Sequence, residues 1–275
     1  MAMTESERWF ESYLRSTGHD GWQDHEPELG IPTRPDYLVS KSGAAAICEV
    51  KEFVTSGVHS RAAALSARRA EAEAEGRPGP SRSFNTSDKE EFGDIRAQVR
   101  EAARQLKPLA AAGVPLVAVL ANPLALLMNL SPAHVGYALN GNPTFGGPYD
   151  SERGEVLSLG PVKGRSGKLT NDHQYLSAVL ILCQRSGARD RARAWFDAHG
   201  PRIRAEHETR AAQAEALLAA SPSDWGPEDE YYSVDVLHTV SALEGRAVRL
   251  PAELFDGEHD RVYEPDGAGF YELAR

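Results

Sequence analysis

The chain has 275 residues, of which 30 are Lys or Arg and 40 are Asp or Glu, with 41% hydrophobic and 25% charged side chains. Those proportions describe a soluble globular chain of one large or two small domains, and they exclude a fibre, a coiled coil or a wholly disordered protein. The formal charge of −10 is unevenly spread: residues 201–275 hold 7 Arg against 16 Asp or Glu, whereas residues 161–204 hold 9 Lys or Arg against 3 Asp, so a polyanionic partner stays admissible.

The spacing of Trp9, Phe10, Tyr13 and Leu14 predicts an amphipathic helix over Thr4–Thr17, stopped by Gly18. Short strands are expected at Trp22–Glu26 and Tyr37–Ser40, and a buried strand at Ala44–Phe53 after the turn Lys41-Ser42-Gly43. Residues Thr55–Asp88 read as a helical excursion and then a loop rich in Gly and Pro. Asp94–Ala112 keeps helical spacing through Ile95, Val99, Ala102, Leu106 and Leu109, with Gly113 closing it and a strand following at Val114–Leu120. Beyond it, strands are expected at Val135–Leu139, Ala178–Leu182 and Ser233–Val240, helices at Ala192–His199 and Glu206–Ala220, and a linker or long loop at Asn140–Lys168. The longest apolar run, Val114–Leu130, is interrupted by Pro115, Asn122, Pro123 and Asn129, so no membrane span is expected. The opening Thr4, Glu5, Glu7 and Arg8 do not form a secretory signal, which makes a cytoplasmic location the expectation. Cys48 and Cys183 read as core residues rather than a disulfide framework or a cysteine zinc site.

The chemistry concentrates in Pro35-Asp36 and, after twelve positions, Glu49-Val50-Lys51. Alternation on a strand puts Ile47, Glu49, Lys51 and Phe53 on one face, so a carboxylate and an ammonium stand side by side on an apolar strand. Desolvation makes such a position costly unless the charges are paired or bind a metal. Pairing through the turn at Gly43 would carry Asp36 toward Glu49, and two carboxylates sharing one site call for a hard cation such as Mg²⁺ or Mn²⁺.

This pattern resembles the signature of the PD-(D/E)XK nucleases, the restriction-endonuclease-like superfamily. The order helix, three strands, helix, strand is also similar, and Glu7, seven positions before Leu14 and eleven before Gly18, matches the first helix of archaeal Holliday-junction resolvases. The resemblance covers roughly residues 4–122. It implies an α/β (α+β) fold with a mixed central sheet flanked by helices: a nuclease core over residues 1–125 with an insertion near 55–90, and a C-terminal extension over 126–275 that packs on or continues the sheet. It further implies an Mg²⁺-dependent nuclease that hydrolyses phosphodiesters, DNA rather than RNA, in defence, restriction or repair, working alone, as a homodimer or in a larger complex. Asp36, Glu49, Glu7 and the carbonyl of Val50 are the implied metal ligands, and Lys51 orients water or stabilises developing charge.

Bland readings stand beside these. Thr4-Glu5-Ser6-Glu7 also fits a capping box that would occupy Glu7, leaving Glu11, one turn on, as the ligand. Glu49 and Lys51 also fit a cross-face salt pair, and Glu52 points the other way as a surface or pairing residue. Gln98 is a catalytic candidate on the second helix, or part of a plain polar face. Arg96, Arg100 and Arg104 form a stripe suited to a phosphate backbone or to solvent. The basic loop Lys163, Arg165, Lys168 is a nucleic-acid candidate, but it fails the phosphate-loop pattern, since Val162 and Leu169 stand where Gly and Ser or Thr are required. The rival to catalysis is a nucleic-acid-binding or assembly module that retains the nuclease fold.

Overall fold

Two successive residues with positive φ, Ser42 at 53° and Gly43 at 83°, fold the chain back on itself in a tight turn. A two-residue hairpin needs that left-handed pair, because its twist matches that of the flanking strands. The turn joins β2 (Tyr37–Lys41) to β3 (Ala44–Glu52), with Lys41 opposite Ala44 and Tyr37 opposite Cys48. β1 (Gly21–Asp24) lies antiparallel on the other side of β2. The computed structural model describes residues 3–24, 35–53, 88–123, 130–140, 144–146, 149–150, 155–156, 160–162, 169, 172–226, 229–266 and 271–274. The excursion expected over Thr55–Asp88 falls, apart from its last residue, outside them.

After β3 the chain returns through α2 (Asp88–Leu106) and a short 3-10 turn (Lys107–Leu109) to β4 (Leu116–Ala121), which runs parallel to β3. Helix α1 (Glu5–Ser16) covers one face of the sheet: Phe10 meets Tyr37 edge to face at 5.3 Å, and Ala46, Cys48 and Val50 are buried on β3. The opposite face carries α2, where Ile47 and Phe53 join Ile95, Val99, Ala102 and Leu106 in one apolar cluster. Alternation along β3 thus sends Glu49 and Lys51 toward the α2 side. Helix α2 starts and ends six residues earlier than its spacing suggests; it ends there because Pro108, in the 3-10 turn, cannot continue an α-helix.

The segment Val135–Leu139 is helical rather than extended: α3 spans Pro132–Asn140. Pro132 favours the first helical position, and the Ser131 hydroxyl accepts the N–H of His134. Val135, Ala138 and Leu139, spaced for a helix, are buried. Within the stretch expected to be a linker or loop, two small antiparallel sheets form, β5 (Thr144–Gly146) with β8 (Gly160–Val162) and β6 (Tyr149–Asp150) with β7 (Glu155–Val156).

The strands that follow extend the main sheet. β9 (Ala178–Ser186) is parallel to β4, β10 (Glu230–His238) lies beside it, and two strands with no counterpart in the sequence reading, β11 (Arg261–Pro265) and β12 (Tyr271–Leu273), complete the eight-stranded order β1-β2-β3-β4-β9-β10-β11-β12. The chain is therefore a mixed α/β structure with helices on the faces of a mixed sheet. No helix among the described residues is long and apolar enough to cross a membrane.

The chain divides into two compact units, Met1–Cys183 with Val234–Arg275, and Gln184–Ser233. In the first, Asp260 accepts the Tyr13 hydroxyl at 2.5 Å and the N–H groups of Val234 and Gly257, tying α1 to the C-terminal segment, while the buried Asp235 carboxylate takes both arms of Arg261 at 2.7 and 2.8 Å. In the second, α4 (Gly187–Ala205) and α5 (Arg210–Ala220) are longer and shorter, respectively, than their sequence patterns indicate. Thr209 caps α5 by accepting the Ala212 N–H, and Trp195 stacks on His199 at 4.8 Å and meets Trp225 edge-on.

Candidate active site

The hairpin brings Asp36 and Glu49 together. The Val50 N–H donates to Asp36 Oδ2 at 2.8 Å, and the Asp36 N–H donates to Glu49 Oε2 at 3.3 Å. Lys51 Nζ donates to Glu49 Oε1 at 2.7 Å, and the two side chains are 16% and 1% exposed. One amine and two carboxyl groups therefore meet where β2 and β3 are bonded to each other, beside the apolar cluster under α2. The partner β4 is wholly buried, with Ala118 opposite Glu49 and Leu120 opposite Lys51, so the sheet walls this group off on one side with hydrocarbon.

Burial and neighbouring charge set the proton affinity of the pair. Glu49 is pushed up to about 7, first by desolvation and then by the Asp36 charge, against the pull of Lys51. Asp36 is also raised, by desolvation above all and further by Glu7, although the Val50 N–H and Lys51 favour its ionised form. Two carboxyl groups that resist ionising together are short of positive charge, and Lys51 supplies only part of it. A hard divalent cation would supply the rest. Asp36 and Glu49 offer hard oxygen donors suited to Mg²⁺, which commonly takes one or two carboxylates and completes its shell with water and substrate phosphate.

The third acid expected from α1 does not join them. Glu7 forms the capping box with Thr4: its carboxylate accepts the Thr4 N–H while the Thr4 hydroxyl accepts the Glu7 N–H at 3.2 Å. Local geometry wins because both bonds close within four residues and satisfy otherwise orphaned helix donors. Its charge is still felt at Asp36. Glu11 is occupied elsewhere, paired with Arg15 at 2.7 Å and accepting from the Tyr37 hydroxyl at 3.5 Å on the α1 face. Among the described residues no group of three His, Cys, Asp or Glu side chains is assembled to hold a metal. Val50 contributes its N–H to Asp36, and its side chain is buried on the opposite face.

Two side chains outside the motif shape the site. Glu52, read from the sequence as a surface or pairing residue, accepts the Ser6 N–H at 2.9 Å and so pins the start of α1 to the strand that carries Glu49 and Lys51. Glu101 lies on the flank of α2 that also bears the half-buried Gln98; Arg104 and then Lys51 hold its carboxyl below the ordinary value. Its position three residues after Gln98, on the same helix flank, is the signal that could have singled it out.

The arginine stripe is split among different tasks. Arg96 Nε donates to Ala138 O at 2.9 Å and its guanidinium reaches Tyr137 O at 3.4 Å, which caps the end of α3. Arg104 pairs with Glu101. Arg100 alone is exposed without a carboxylate partner among the described residues. Lys163, Arg165 and Lys168 lie outside them. We expect Arg96→Ala to cost about 1–2 kcal/mol in denaturant unfolding while leaving DNA affinity unchanged, because it removes charge-assisted bonds to a helix end. A cavity of about 420 Å³, lined by His238, Arg249, Phe255, Val262 and Glu264 among others, contains none of the Asp36, Glu49 and Lys51 group.

No protein-family model, curated protein or solved structure shows significant similarity to the chain.

Proposed function

We propose that the chain is a metal-dependent nuclease of the restriction-endonuclease-like fold, which hydrolyses phosphodiester bonds in DNA. The observation that carries this reading is the meeting of the half-buried Asp36 and Lys51 with the buried Glu49, two carboxyl groups whose proton affinity is raised and an amine 2.7 Å from one of them. The helix, three-strand, helix, strand order around that point supports it as well. A purely structural ion pair needs one acid per base, whereas here a second, half-buried carboxylate is added at an energetic cost. Such surplus is characteristic of sites that work on charge.

Asp36 and Glu49 are the residues that would hold Mg²⁺ or Mn²⁺. When bound, the ion supplies a polarised phosphate and a water of lowered pKa. Val50 keeps Asp36 oriented through its N–H, and Glu49 bridges from the Asp36 backbone to Lys51. Lys51 brings a positive charge to the phosphate as negative charge develops on it, and it holds the attacking water by donating to its oxygen. The apolar wall from β4 excludes bulk water and strengthens each of these interactions.

A non-catalytic nucleic-acid-binding module is the second reading, and the specific observation in its favour is that Glu7 and Glu11 are both engaged elsewhere. Incubating supercoiled plasmid with the protein in Mg²⁺, Mn²⁺ or EDTA separates the two. Cleavage that needs the metal and is abolished by Asp36→Ala is the expected result. Binding without cleavage in all three conditions rejects the nuclease.

A further inference from the structure

The C-terminal half of α2 and the 3-10 turn that follows it carry a second, basic surface. Arg100 is exposed on α2, and Lys107, which opens the 3-10 turn after it, is exposed too. Between them Ala103 O accepts the Tyr175 hydroxyl at 2.8 Å, and His173 Nδ1 lies 3.1 Å from that same hydroxyl. Tyr175 has one proton and gives it to Ala103, so its oxygen must accept from His173 Nδ1–H. The tautomer follows: Nε2 is the ring nitrogen left to meet a ligand. The backbone of His173 is fixed as well, its N–H donating to Leu169 O and its carbonyl accepting the Leu176 N–H. An imidazole is thus held over the helix between two exposed cations.

We infer that Arg100, Lys107 and His173, none of them part of the Asp36, Glu49 and Lys51 group, form a phosphate-contacting surface that engages the backbone of duplex DNA, with His173 gaining a proton on contact. The inference rests on the nuclease reading for its choice of ligand. Its physical basis is local. The surface gathers three groups that carry or can take positive charge, with Asp172 the acid acting against them at His173. Burial and the charges of Arg100 and Lys107 hold His173 below its ordinary value, so the ring is neutral near pH 7. A phosphate placed on the surface offsets both cations and accepts from Nε2–H, which favours the imidazolium. Binding must then tighten as pH falls, by linkage.

The test measures affinity of the wild-type protein for a fluorescein-labelled DNA duplex by anisotropy in EDTA, where metal-dependent cleavage is silent. Arg100→Ala and Lys107→Ala, both exposed positions that should not disturb folding, are each expected to weaken binding roughly tenfold and to lower the salt slope by about one. Glu49, pushed up to about 7, and Asp36, also raised, respond to pH as well, so the readout for His173 is the difference between wild type and His173→Asn, which should grow as pH falls from neutrality. Unchanged affinity and slope in both alanine variants, a wild-type to His173→Asn difference that is flat with pH, or no duplex binding by the wild type would each overturn the inference. An intact dependence on Arg100 and Lys107 in a protein that never cuts plasmid supports this surface and rejects only the nuclease.

Discussion

Lys51→Ala is expected to lower the rate of plasmid cleavage by about 10²- to 10³-fold while changing duplex affinity only a few-fold. The amine is one donor in a dry site, and it matters most when negative charge builds on the phosphate, so its loss falls on turnover. A second consequence follows from its bond to Glu49. Lys51 lowers the proton affinity of Glu49, which even so is pushed up to about 7. Without the amine, Glu49 holds its proton to still higher pH. The rate of the variant should therefore rise with pH over a range displaced to the alkaline side of the wild type's. Lys51→Arg separates the two effects, since a guanidinium retains the charge but not the compact single-point donor. It should bring the pH profile back toward the wild type and leave the rate depressed. An alanine variant that cuts at the wild-type rate, or one whose pH profile is not displaced, excludes Lys51 from the chemistry and from contact with an ionising Glu49.

How far the sequence carries this argument can be judged from particular residues. The face shared by Glu49 and Lys51 was readable because strand alternation is rigid and Ala44–Cys48 is too apolar for a solvated strand. The approach of Asp36 was readable because Ser42-Gly43 is a strong turn signal that fixes the register. Glu7 had two readings: spacing favoured a site residue, the first choice, and Thr4-Glu5-Ser6-Glu7 offered a cap, which the short-range bonds form. Arg96 shows how one error spreads. With Val135–Leu139 taken as a strand, the helix end that accepts from Arg96 did not exist, and the guanidinium looked free for phosphate. The strands β11 and β12 were missed because neither alternates cleanly: β11 carries Glu264 and Pro265, and β12 has a single short apolar pattern at an edge. Their place is set by long-range partners, Asp235 opposite Arg261 above all, which local pattern does not encode.

Glu49→Gln should stabilise the metal-free protein at pH 8 by up to about 3 kcal/mol, read as a rise of about 5 °C in Tm. The sign comes from linkage. Glu49 has an ordinary value of 4.5 and titrates near 7 in the fold, so between these values the folded chain retains a proton that the unfolded chain has released. Stability attributable to this group is full below about 4.5, falls as pH rises toward 7, and stays low above it. Asp36, also raised, contributes with the same sign. The wild type in EDTA should accordingly lose stability between pH 5.5 and 8 relative to Glu49→Gln, whose uncharged amide imposes no such cost and lets Lys51, already 16% exposed, turn toward water. Adding Mg²⁺ at pH 8 should raise the wild-type Tm and leave Glu49→Gln nearly unmoved, because the cation offsets a charge that the variant does not have. Thermal unfolding of both proteins at the two pH values, with and without Mg²⁺, checks every arm. A wild type more stable than the variant at pH 8 in EDTA would show that Lys51 alone fully compensates Glu49, and the case for a missing cation beside Asp36 would fail with it.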